Sequence, residues 1–239
     1  MVRSLPVWWC GLAILLGCPL VVVQASAQLG RIEGTIALAP RLSARKPRFR
    51  PYAEYGPGAI PRQSNPDTNE LSHVVVYLDS LPGDAGNPPE PSGQPTLEQL
   101  NERFIPHVLP ILRGAIVSFP NHDRVFHNVF SLSSARTFDL GRYPQGESKS
   151  LRFDQTGVVQ VFCHIHSDMS AIILVLANPY FVVPTTVGHY AIDDLPAGEY
   201  RLVAWHERID PIVRHIHVLP GHTTVVDLTI PLPTELDRP

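Results

Sequence analysis

The stretch VFCHIHSDM, Val161 to Met169, places a cysteine, two histidines and a methionine side by side. Cys163, His166 and Met169 follow the order Cys-x-x-His-x-x-Met, and a turn of that length can fold three side chains around one point. Thiolate and imidazole together suit copper, and a distant thioether is the usual weak axial ligand of a blue copper centre. Such a centre needs a second histidine from elsewhere in the fold, and FHNVFS offers His127. Zinc uses the same thiolate and imidazole but rarely a thioether, and prefers further thiolates or a carboxylate. A haem c site needs two cysteines ahead of its histidine, and one is present here. A cysteine nucleophile needs a base held by a third group; His127 can serve as base, but no glycine-framed turn surrounds Cys163. The plain alternative is an inert buried cysteine, which leaves the neighbouring His and Met unexplained.

The rest of the chain makes this sulfur conspicuous. Residues 1–27 read as a secretory signal peptide: Arg3, an apolar run from Val7 to Val23, then Ala25-Ser26-Ala27 as a small-x-small cleavage site. An uncleaved anchor is the first alternative, opposed by Pro6 and Pro19; a lipoprotein box at Leu15–Cys18 is the second, weakened by the apolar PLVVV that follows. Cleavage removes Cys10, Cys18 and Met1, so Cys163 and Met169 become the sole cysteine and methionine. One cysteine makes no internal disulfide, and a free thiol in an oxidising compartment is a liability that a bound metal relieves. The expectation is a periplasmic or secreted protein with no membrane span after cleavage.

The 239 residues are 44% hydrophobic and 17% charged with a net charge of −3, a globular composition. No basic block points to nucleic acid; Arg41–Pro51 is a short basic loop. With 25 Pro and 16 Gly, long helices are excluded and an all-β fold is expected. Expected strands are 31–38, 73–78, 103–112, 115–120, 125–131, 147–153, 158–163 and 171–177. After Pro179 come two strands around an LPAG turn in 188–205, then 213–219 and 223–230. Residues 39–70 form a long irregular excursion, and Thr96–Asn101 reads either as a helical turn or as the start of a strand. The spacing of breakers suggests an antiparallel sandwich or small barrel.

From Phe104 to Ala177 the chain resembles the cupredoxins of the amicyanin and plastocyanin type, through FIPHVLPILRGAIVSFPN, HNVF and FCHIHSDM. The longer arrangement is similar to proteins described as methylamine-utilization-like. The resemblance implies a Greek-key sandwich holding one type 1 copper on His127, Cys163 and His166, with Met169 axial. It implies that Asn128 ties the His127 loop to the cysteine loop, that an amide hydrogen-bonds the thiolate, and that the His166 edge faces an apolar patch where electrons leave. Phe126, Phe130 and Phe162 are read either as lining the site or as plain core. Ser167-Asp168 stands where this family often has Pro, so a looser loop is expected, with a carboxylate that favours Cu(II). Phe162 precedes Cys163, which argues against the multicopper oxidase pattern, and His164 is expected on the opposite face.

The pattern GHYAIDDLPAGEYRL resembles the carboxypeptidase regulatory-like, or transthyretin-like (Ig-like), β-sandwich. The expected organisation is a signal peptide (1–27), N-terminal strands with the Pro-rich excursion (28–80), a linker (81–95), a cupredoxin domain (96–178), the second sandwich's strands (179–232) and a tail (233–239). Residues 30–80 and 180–232 are expected to form one discontinuous sandwich with the copper domain inserted, Ile36 and Val75 packing against Tyr190 and Leu202. His122 reads as a rim residue, His107 as structural, and His215 and His217 as a solvated strand face or a weak metal pair; His206 has no role assigned. The functional expectation is a non-enzymatic electron carrier with an unidentified redox partner protein. The alternative is a copper-binding or scaffold/adhesion module of the cell envelope without redox turnover. An oxidase or reductase would need further histidines, such as His122, His164 and His206, around one point.

Overall fold

The computed structural model describes residues 28–39, 69–82, 90–91 and 93–230. The leader, the body of the 39–70 excursion, most of the linker and the tail beyond 230 lie outside the described residues. The first strand, β1 (Gly30–Leu38), alternates buried and exposed residues; a 3-10 turn (Glu70–His73) then leads into β2 (Val75–Ser80). Next come β3 (Glu98–Gln99), β4 (Phe104–Ile105), β5 (Val108–Leu112), β6 (Ile116–Pro120), β7 (His127–Ser133), β8 (Arg136–Tyr143), β9 (Ser148–Arg152), β10 (Gly157–Phe162) and β11 (Ser170–Leu176). The chain finishes with β12 (Phe181–Val182), β13 (His189–Leu195), β14 (Gly198–Trp205), β15 (Ile212–Val218), β16 (Thr223–Val225) and β17 (Leu228–Ile230). The fold is all-β.

These strands build two sandwiches. In the first, β13, β1 and β16 lie side by side with β17 also on β1, facing a sheet of order β12-β2-β14-β15. Ile32, Ile36, Val76, Leu78, Tyr190, Leu202 and Ile230 fill the space between, so residues from both ends of the chain share one core. In the second, a sheet of order β5-β11-β10-β7-β8 faces the β6-β9 pair. Its core includes Val117, Phe119, Val129, Phe153, Val161 and Ile173, with Cys163 and Met169 at one end.

Val75 departs from its expected position. Side chains alternate along a strand, so Val74, Val76 and Leu78 enter the first core while Val75 and Tyr77 point the other way. There they meet Val108, Ile172, Leu174, Leu176 and Trp205, an apolar seam between the sandwiches. β11 is buried on both faces for this reason: Ala171, Ile173 and Val175 face the second core, while Ile172, Leu174 and Leu176 face the seam. A strand sealed on both sides reads as a continuous apolar run, as AIILVL does.

Two expected strands are cut differently. The 103–112 segment breaks at Pro106-His107, where proline supplies no ladder donor. The 223–230 segment breaks at Val226-Asp227, because the Asp227 carboxylate accepts the Thr35 amide at 2.8 Å and takes over β1's bonding there. Thr96–Asn101 holds the short β3 rather than a helical turn.

Gly34 sits where β1 crosses this break. A Cβ there would run into the Val226 carbonyl oxygen, which already accepts the Tyr190 hydroxyl at 2.6 Å. Gly34→Ala must therefore push β17 outward, and overpacking of this kind costs about 1–3 kcal/mol. A correspondingly lower urea midpoint is expected; an unchanged midpoint would mean that β17 contributes little.

Candidate metal centre

β7 opens with His127, fully buried, and β10 delivers Cys163, 5% exposed, one residue beyond its end. The turn that follows is closed by its own backbone. Met169 N–H donates to His166 O at 3.1 Å, and Cys163 N–H donates to Met169 O at 3.2 Å. These bonds define the loop without a proline at 167 and return Met169, 1% exposed, to the core beside Cys163.

Three donor atoms converge here. His127 Nδ1 and His166 Nδ1 are 3.1 Å apart, and Cys163 Sγ lies 3.9 Å from the first and 3.8 Å from the second. A point equidistant from all three lies about 2.1 Å from each, which matches the lengths of metal–imidazole and metal–thiolate bonds, about 2.0–2.3 Å. The triangle therefore fits one metal ion. Its donor set, a thiolate and two imidazoles beside a buried methionine, suits copper.

The histidines are held by carboxylates that sequence reasoning missed. His127 Nε2 donates to Asp123 Oδ2 at 2.8 Å, which leaves the Nδ1 lone pair aimed at the metal position. Asp123 is itself fixed: its oxygens accept the amides of Asn101 at 2.7 Å and Glu102 at 2.8 Å. Both donors have left-handed backbones, φ 54° and 56°, a conformation costly for a residue such as glutamate. The Glu102 carboxylate lies 4.0 Å from His166 Nε2. One turn between β3 and β4 thus reaches both metal-facing histidines. The available signal was DRVFH, an acid four residues before the histidine.

Several implied roles change. Asn128 does not tie the two loops through its amide nitrogen: Nδ2 donates to Asp139 Oδ1 on β8 at 2.7 Å. Asp139, which also accepts the Gly141 amide, has its pKa lowered by these bonds, that of Gly141 first. Phe130 and Phe162 neither line the site nor enter its core: they pair across β7 and β10 on the outer face, where His164 stacks on Phe130 at 3.7 Å. Phe126 is 56% exposed beside His127, and Val125 and Ile165 are also exposed, so the ligand loops carry an apolar rim. Asp168, His122, His215 and His217 are exposed. His107 and His206 meet His73 in a separate cluster near the seam.

No family model matches the chain, and no curated protein matches it. Solved structures do. The Cu-containing nitrite reductase (NirK) from Thermus scotoductus SA-01 aligns with 40% of this chain at 24% identity and TM-score 0.33. The alignment spans 24% of the reductase, about a quarter of its length. A mutant of amicyanin in its Cu(I) form aligns over 42% of this chain and 97% of its own, at 15% identity and TM-score 0.33. A purple cupredoxin from Nitrosopumilus maritimus aligns over 35% of this chain and 99% of its own, at 21% identity and TM-score 0.31.

Proposed function

We propose that the protein is an exported electron carrier of the cupredoxin type, with one type 1 copper held by Cys163, His127 and His166 and Met169 as its axial neighbour. The convergence of the three donor atoms around a point about 2.1 Å from each carries this reading. Copper would supply a one-electron Cu(II)/Cu(I) couple. The chain's own part is to keep the donors still: Asp123 fixes the His127 ring, the Cys163–Met169 backbone bond fixes the thiolate, and burial excludes water. Donors held in place in both oxidation states need little rearrangement when an electron moves.

His166 is the ligand nearest solvent, with 18% of its side chain exposed. The apolar rim of Val125, Phe126 and Ile165 gives a redox partner protein a weakly adhesive surface around that edge. Among the described residues no helix is long and apolar enough to cross a membrane. Export rests on the sequence of the leader.

The test is a titration of the metal-free protein with Cu(II), followed by visible absorption and voltammetry. One equivalent is expected to produce an intense thiolate-to-copper band and a reversible one-electron wave. A colourless complex, or a band without a reversible wave, would favour a copper-binding or scaffold module over electron transfer.

A further inference from the structure

A second cluster lies where the two sandwiches meet. His73 ends the 3-10 turn before β2, His107 precedes β5, and His206 and Glu207 follow β14. His73 is 6% exposed and His206 fully buried. Glu70 and Arg208 complete the group, with Arg208 Nη2 on Glu70 Oε2 at 2.8 Å.

Tautomers sort these groups into two halves. His206 Nδ1 accepts the Arg208 amide at 3.2 Å, so a neutral His206 carries its proton on Nε2, which lies 3.4 Å from Glu70 Oε2. Arg208 Nη2 supplies the cation beside Glu70, although Glu70 Oε2 and His206 Nε2 are themselves buried without hydrogen-bond geometry to a partner. In the other half two imidazoles meet one carboxylate. His107 Nδ1 donates to the Ser170 carbonyl at 3.2 Å, so a neutral His107 turns its Nε2 lone pair toward Glu207, whose two oxygens are both 3.2 Å away. His73 Nδ1 lies 3.3 Å from Glu207 Oε1, buried and without hydrogen-bond geometry to any partner. Lone pairs facing a carboxylate need a proton on each ring or a metal cation between them, and one metal ion serves all three groups at once.

We propose that His73 Nδ1, His107 Nε2 and the Glu207 carboxylate form a second metal site, for a divalent ion of the zinc type, that clamps one sandwich to the other. Two imidazoles and a carboxylate are a zinc donor set, and a tetrahedral ion about 2.0–2.1 Å from each donor spaces them about 3.3 Å apart. The spacings to Glu207 Oε1 are 3.3 and 3.2 Å. The Ser170 carbonyl behind His107 is the backing that metal-bound histidines use to fix their ring. His73 and Glu207 belong to the first sandwich and His107 to the second, so the ion would bridge the seam. It would stabilise only the docked arrangement, as any ligand specific to the folded state does.

The test silences the first centre. The Cys163→Ser/His166→Gln protein is dialysed against zinc, and bound metal and unfolding temperature are measured. One zinc per chain and a raised unfolding temperature are expected. His107→Gln or Glu207→Gln, added singly, should lower zinc affinity at least tenfold and abolish the temperature rise. Zinc edge absorption on the parent should count two imidazoles, a readout that does not depend on the added variants folding. No retained zinc, a count other than two imidazoles, or zinc binding unaltered in folded variants would overturn the site. None of these outcomes bears on copper at Cys163.

Discussion

Replacing Cys163 by serine is expected to erase the intense visible band of the copper-loaded protein, down to the weak absorption of copper on nitrogen and oxygen donors. The sulfur is the only donor of the three whose orbitals mix strongly with copper, and serine offers a hydroxyl that stays protonated. His127 and His166 remain 3.1 Å apart, so some copper should still bind. The fold should survive. Cys163 is 5% exposed, and burying a hydroxyl in its place costs about 1–3 kcal/mol. In a protein of this size that lowers the unfolding temperature by about 2–4 °C for each kcal/mol. Copper absorption spectra and metal-free melting curves, taken together, separate the two effects. A band that persists in a folded Cys163→Ser protein would mean that sulfur is not a ligand, and the type 1 reading would fall.

Asp123→Ala is expected to weaken copper binding by about 10–100-fold and to raise the reduction potential. The carboxylate is only 12% exposed and touches His127 Nε2 at 2.8 Å, so its negative charge stabilises the more positive Cu(II) with little screening. Its loss also frees the amides of Asn101 and Glu102, leaving their left-handed turn held by the paired Leu100 and Arg103 backbone bonds alone. The metal-free protein should lose stability as well, by about 1–3 kcal/mol. Asp168→Asn is the control. That carboxylate is exposed beside the ligand loop, and solvent should reduce its influence on the potential to a small fraction of Asp123's. Equal shifts in the two variants would show that burial of Asp123 is irrelevant to tuning.

The chemistry-bearing loop was legible because its residues are close in sequence and rare in this chain; Cys163, His166 and Met169 need only one turn to meet. His127 was legible as a histidine inside the expected strand 125–131, although the strand itself starts at His127. Asp123 was not, since an acid in a polar loop has no pattern of its own until Asn101 and Glu102 are brought against it from a distant segment. β8 was missed because its apolar face is short, Phe138 and Leu140 only half-buried against the second core, and Gly141 with φ 67° interrupts the alternation before Tyr143. The seam had a signature that strand-by-strand reading undervalues: VVVY and AIILVL fail to alternate, and a strand that does not alternate has neighbours on both sides. His73 and Glu207 were invisible for a related reason. Each is an ordinary polar residue at the end of a strand, and only the docking of the two sandwiches makes them neighbours of His107.

The chain leaves the first sandwich after β2 and returns to it on β12, and those two strands are hydrogen-bonded neighbours, with Tyr77 opposite Phe181. Asn178 Nδ2 fastens the return point to Leu78 O at 2.7 Å. The metal-bearing half is therefore a cassette whose two cut ends already touch, the arrangement in which insertion and excision are best tolerated. Splicing it out with a short turn should leave a host that keeps its own core. That host would no longer be indifferent to company: Val75, Tyr77 and Trp205, stripped of their cover, would form a bare apolar patch and draw two such remnants together.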